Sequence, residues 1–208
     1  MSYLKELKIH LEPKDHRAIF DFAEATAPSC GAVWDKKEKR EIGRYKVRDD
    51  IILGKAVEVA FKKTGTIFGV ELSDPDFEIY ERGGDGGIDF FGIGKNAKDK
   101  YLVKGSYDRL YWHEGQHTYS WSVDADNLAI TGECNNDYFV LGIWDNNSGD
   151  VVIKAVVQAE VLRKADLWKD PVLKKLIGIK KCIYLSDMYE SLTYNQIWGK
   201  LINNRGLK

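Results

Sequence analysis

The sequence predicts an α/β (α+β) layered domain, with helices near both ends flanking a mixed central β-sheet. Three observations carry this. Apolar residues recur at helical spacing near the N-terminus and again near residue 200. Between these stretches lie short runs rich in β-branched and aromatic residues, punctuated by glycine and aspartate. No repeat, low-complexity tract or linker divides the 208 residues, a length that suits a single domain spanning 1–208.

Taken in order, residues 7–12 alternate apolar and charged side chains and read as a short strand. Residues 15–25 read as a helix with Ile19, Phe20, Phe22 and Ala23 to one side, ending before Pro28. Asp49 and Asp50 suit a helix N-terminus, and the helix they open runs through Lys63 to a stop at Gly65. β-runs follow at 68–72, 77–81, 88–93 and 101–104. Residues 138–144 form a strongly apolar strand, with 145–149 as its turn and 151–157 as its hairpin partner. A helix at 159–167, a short strand at 182–185, a turn capped by Ser186 and a closing helix at 194–202 complete the chain.

Composition narrows the setting. With 44% hydrophobic and 30% charged residues the chain is an ordinary globule, and no window approaches a membrane-spanning apolar run. The first residues lack the apolar core of a signal peptide. Cys30, Cys134 and Cys182 are odd in number and form no CxxC pair, which implies reduced thiols in an intracellular, cytoplasmic setting. The net charge of −1 argues against a generally basic nucleic-acid coat. One stretch is locally basic: Lys36, Lys37, Lys39, Arg40, Arg44, Lys46 and Arg48 are opposed there only by Glu38 and Glu41. Such a run can neutralise backbone phosphates, although a solvated loop or helix face is the commoner role of a single basic run.

The most informative stretch is ERGGDGGIDFFGIGKNAKDKYLVKGSY, residues 81–107. Its glycine-rich turn leads into Asp89, and the next β-run carries Lys104. In suitable register, adjacent strands put Asp89 and Lys104 on one face, with Glu58 of the preceding helix above them. Carboxylates suit a hard divalent cation such as Mg²⁺ or Mn²⁺, and a nearby ammonium suits an attacking water or a charged phosphate. Each residue also has a plain structural reading: Asp89 as turn punctuation, Lys104 as a strand-end lysine, Glu58 on a wet helix face.

Four segments together resemble the PD-(D/E)xK, or restriction-endonuclease-like, nuclease superfamily. They are GKAVEVAF at 54–61, GGIDF at 86–90, YLVKGS at 101–106, and NDYFVLGIWD at 136–145 followed by Val151-Val152-Ile153. The resemblance covers roughly residues 50–165 and is one of pattern and order. It implies a restriction-endonuclease-like core of helix, three-stranded meander, helix and further strand, and a Mg²⁺-dependent (or Mn²⁺-dependent) cut of DNA phosphodiesters. By the same resemblance Glu58 and Asp89 hold metal together with the Val103 carbonyl, and Lys104 is the catalytic lysine. A homodimer would be the arrangement that cuts both strands, although the sequence shows no heptad seam. Ile88 replaces the name-giving proline harmlessly. Leu102 stands where the family places a metal-binding acid, so Glu58 or a migrated carboxylate such as Asp85 or Asp108 must compensate, or this copy binds DNA without cutting.

His113-Glu114-Gly115-Gln116-His117 also fits HExxH, the zinc-peptidase signature, with Glu133 or Asp137 as a further ligand. Its neighbours Tyr111, Trp112, Thr118, Tyr119 and Trp121 suit strands, and Gly115 disfavours a helix. A polar loop or hairpin is the competing reading, in which Arg109, His113, Gln116 and His117 face DNA phosphates or base edges.

Overall fold

The computed structural model describes residues 6–30, 33–35, 40–42, 44–78, 88–124, 137–145 and 147–204. A mixed sheet forms the centre, flanked by helices. Its strands are β1 (Leu7–Ile9), β4 (Phe90–Phe91), β5 (Lys100–Tyr107), β9 (Asp137–Asp145) and β10 (Asp150–Gln158), in the order β1-β10-β9-β5-β4. β5 and β9 run parallel, and every other pairing is antiparallel. The expected 138–144/151–157 hairpin is present, with Asp150 opposite Asp145 and a register shift between Ile153 and Ala155.

Helix α1 (Pro13–Cys30) packs along α2 (Arg44–Phe68), and α2 lies across β5, β9 and β10. Both helices outrun their expected ends. α1 starts on Pro13, whose missing N–H costs nothing in a first turn, and passes Pro28 close to its last residue. α2 passes Gly65 and stops instead at Gly69, which takes φ of +68° while Val70 N donates to the Gly65 carbonyl at 2.8 Å. Gly65 serves close approach instead: a Cβ there would lie 2.8 Å from the Val70 carbonyl oxygen.

Two further glycines set the depth of α2. A Cβ on Gly142 would lie 2.3 Å from Val57, and one on Gly105 would lie 2.9 Å from Leu53. Side chains alternate along a strand, so Tyr101, Val103, Gly105 and Tyr107 of β5 face α2 while Leu102, Lys104 and Ser106 face away. Ring contacts agree, since Phe61 of α2 meets both Phe90 and Tyr101.

The opposite face is covered by a ribbon of β8 (Ser120–Asp124) and β11 (Lys180–Tyr184). Trp121 is buried there and donates its indole N–H to the Gly142 carbonyl at 2.8 Å. β2 (Val33–Asp35) pairs with β3 (Arg40–Ile42), and β6 (Tyr111–His113) pairs with β7 (Gln116–Thr118). After β10 come α3 (Ala159–Lys164), shorter than the expected 159–167, then α4 (Leu185–Ser191) and α5 (Tyr194–Ile202). α5 opens with a capping box between Thr193 and Gln196 and packs on β10.

Some expected strands are curtailed. Of 68–72, only Leu72 bridges to Gly92, because Phe68 still belongs to α2. Residues 79–81 of the next expected run lie outside the described residues, and Phe77 and Glu78 are not in a strand. No membrane-crossing helix is present among the described residues; none is long and apolar enough.

Candidate functional site

The site begins on α2, whose apolar side is spent on the sheet. Glu58 follows Val57 and keeps only 9% of its side chain exposed. Lys55, one turn earlier, places its ammonium 2.7 Å from Glu58 Oε2 and lies over the rings of Phe22 and Phe77. Burial penalises the charged carboxylate more than Lys55 favours it. The negative charges of Asp89 and Asp76 push the same way as burial, and the Glu58 pKa rises to about 7.

Asp89 lies just before β4. Its N–H donates to the Tyr101 carbonyl at 3.1 Å, and its Oδ2 accepts the Val103 N–H at 2.6 Å. β4 pairs with β5 only through Phe90↔Tyr101 and Phe91↔Lys100. Beyond that, no strand among the described residues pairs with the edge of β5 turned away from β9, and the Asp89 carboxylate takes the Val103 N–H there. A strand residue sends its N–H and C=O to the same side, so the Val103 carbonyl leaves toward this open edge too. Asp89 and the Val103 carbonyl thus place hard oxygen atoms along β5, and the Asp89 charge acts on the buried Glu58.

Lys104 leaves β5 on the face opposite α2. It makes no ion pair or hydrogen bond with any described residue, and it lines a cleft of about 540 Å³. The cleft follows the open edge of β5 from Val103 to Tyr107, between Lys46 and Leu53 of α2 and the β8–β11 ribbon. The lysine that meets Glu58 is therefore Lys55. The sequence offers no signal for Lys55 beyond its i,i+3 spacing from Glu58.

Leu102 is 6% exposed and stands beside Phe139, itself packed against Trp168. The position is a core position, which explains the leucine. Of the carboxylates expected to compensate, Asp85 lies outside the described residues, and Asp108 accepts the Tyr119 hydroxyl at 2.6 Å beyond the far end of β5. Asp76 is the carboxylate that sequence reasoning missed; its only signal there was an Asp-Pro-Asp turn, 74–76.

The basic run divides. Lys36, Lys37 and Lys39 lie outside the described residues, and the backbones of Arg40 and Arg44 fall in β3 and at the start of α2. Lys46 pairs with Asp50 at 2.9 Å, and Arg48 pairs with Glu24 and Asp49.

HExxH forms the tight hairpin β6–β7, with Glu114 at φ 46° and Gly115 at φ 87°. Those angles belong to a two-residue turn of the type that β-twist favours, so the zinc-peptidase helix is not formed. His113 pairs with Gln116 and His117 with Trp112, which sends the two histidines to opposite faces. His113 stacks on Tyr184 with centroids 3.6 Å apart and approaches Asp187 at 3.2 Å, while His117 packs edge-on against Trp112. Gln116 donates to Glu190 of α4 at 3.0 Å, and the Arg109 guanidinium lies over Tyr111. Among the expected DNA contacts, His113 and Gln116 are thus occupied in holding α4. His113, Glu114 and Asp187 bring ligand atoms within 4.8 Å of one another, whereas Glu133 lies outside the described residues and Asp137 begins β9.

No protein-family model, curated protein or solved structure matches this chain.

Proposed function

We propose that the chain is a metal-dependent DNA endonuclease. The observation that carries this reading is the buried Glu58 carboxyl within reach of the Asp89 charge, with Asp89 held against the β5 backbone through the Val103 N–H; burial leaves Glu58 reluctant to ionise. A carboxylate in that state gains from a cation. The donor set fits Mg²⁺ or Mn²⁺, being all hard oxygen: two carboxylates and the Val103 carbonyl, with water and phosphate oxygens to complete an octahedral shell. The chemistry a bound Mg²⁺ supplies is a more acidic water and a polarised phosphoryl oxygen. The order helix, hairpin, then a strand parallel to β5 also supports the restriction-endonuclease-like reading, although β6, β7 and β8 occupy the described part of the connection where that reading expects a helix.

In this reading Glu58 and Asp89 hold the cation. Lys104, on the cleft side of the same strand and paired with no described residue, meets the phosphate or positions the attacking water. Lys55 keeps Glu58 in place when no cation is bound. A second reading, a DNA-binding module that does not cut, is favoured by one observation: Leu102 is part of the core.

Plasmid nicking in Mg²⁺ or Mn²⁺ tests both readings. Asp89→Ala should abolish nicking, and Lys104→Ala should reduce it by about a hundredfold or more. Nicking that survives both substitutions overturns the site. DNA retention without nicking in the unaltered protein selects the silent module.

A further inference from the structure

One wall of the cleft bears features that neither core packing nor the cation site uses. Residues 171–179, PVLKKLIGI, lie in the connection from α3 to β11, and Pro171, Val172, Leu173 and Leu176 of it line the cleft. Val172, Leu173 and Ile177 are 46%, 51% and 50% exposed, an apolar lip that folding leaves in water. Lys174 and Lys175 are exposed between them and make no ion pair or hydrogen bond with any described residue through their ammonium groups.

The segment is held in shape. The Tyr184 hydroxyl donates to the Asp170 carbonyl at 3.1 Å and accepts the Val172 N–H at 3.0 Å. Cys182 and Lys169 exchange backbone hydrogen bonds. A short 3-10 turn at Lys174–Leu176 and a bridge from Ile177 to Lys180 complete it. Across the cleft stand Tyr107, Tyr111 and Lys104.

This pairing of an apolar and aromatic slot with ammonium groups that no described residue pairs selects among nucleic acids. A duplex presents phosphates and base edges, and apart from the thymine methyl it offers exposed valine, leucine and isoleucine little apolar surface. Unpaired bases present faces that stack on aromatic rings and pack on aliphatic side chains, while their phosphates seek lysine. We infer that the cleft grips single-stranded nucleic acid, with bases between Val172 and Leu173 on one side and Tyr107 and Tyr111 on the other, and phosphates on Lys104 inside the cleft and on Lys174 and Lys175 of the exposed loop beside it. This rests on the nuclease reading for its purpose, since a gripped strand would run along the edge of β5 that ends at Asp89.

Fluorescence anisotropy with labelled oligothymidine and a labelled duplex of equal length, in EDTA, reads the grip without hydrolysis. The single strand should bind about tenfold or more tightly than the duplex. Lys174→Glu with Lys175→Glu should weaken it by about tenfold and flatten its salt dependence. Leu173→Ser should weaken the single strand while leaving the weak duplex binding unchanged. Equal or tighter duplex binding, or indifference to all three substitutions, overturns the inference. So does capture by phosphatidylserine vesicles with no hold on oligothymidine, which would mark the lip as a membrane-surface device. Nicking that depends on Asp89 without strand preference would leave the nuclease reading standing and this one fallen. Strand preference without nicking would do the reverse.

Discussion

Leu102 decides how the residues of the site are to be understood. Sequence reasoning treated it as a ligand lost from a metal centre, because two positions before a catalytic-type lysine is where an acid was expected. Its side chain instead fills the layer between the sheet and the β8–β11 ribbon, beside Phe139. Leu102→Ala should therefore cost about 2–4 kcal/mol, the range for a buried leucine leaving a partly relaxed cavity. Urea unfolding measures this, and a near-zero change would return Leu102 to the site. Glu58 and Asp89 stand out as candidates in the sequence because each lies in a recognisable local pattern, an apolar helix and a glycine-rich strand entry. Lys55 and Asp76 do not. Their importance comes from a tertiary meeting with one buried carboxylate, and no spacing rule reports burial.

Elements were legible where a single period governs them. β9 and β10 show this, as does α5, whose start at Thr193 carries its own capping box. The ends of α1 and α2 were misplaced because proline and glycine were read as stops. Pro28 falls too near a helix end to break it, and Gly65 was required by a neighbour rather than by the helix. The same logic makes Gly142 the test of how α2 is seated. Gly142→Ala would drive a methyl to 2.3 Å from Val57 Cγ1, while the carbonyl of the same residue holds Trp121. The backbone there cannot move without disturbing that bond. A loss of about 1–3 kcal/mol is expected from overpacking, read as a lowered midpoint of thermal or urea unfolding. An unchanged midpoint would show that α2 is less tightly seated than its glycine contacts require. HExxH failed as a helix because strand-forming neighbours and a turn glycine outweigh a five-residue pattern.

At the scale of the whole molecule, two carboxylates, Asp150 on β10 and Glu58 on α2, shape stability against pH in opposite directions. Asp150 begins β10 and receives Lys8 of β1 at 2.7 Å and His10 at 2.8 Å. Lys8 foremost, then His10, holds its pKa down to about 2. A lowered folded-state pKa gives stability that is present above about pH 4 and lost as pH falls toward 2, so strong acid should loosen β1 from β10. Glu58 is the reverse. Its folded-state pKa of about 7 lies above the ordinary glutamate value of 4.5, so its contribution is present below about pH 4.5 and lost as pH rises through 7. The loss is on the order of 3 kcal/mol, because Glu58 is nearly buried and solvent screens it little. In EDTA the unfolding free energy should peak near pH 4–5 and fall toward about pH 8, while Glu58→Gln should be nearly flat over the upper limb. Mg²⁺ or Mn²⁺ should restore the unaltered protein at high pH and do little near pH 5, because a cation takes the ionised carboxylate that the proton otherwise occupies. Urea titrations across this range check all three statements. Parallel profiles for the two proteins between about pH 5 and 8 would remove Glu58 from its assigned surroundings, and with it the reason for a cation at the edge of β5.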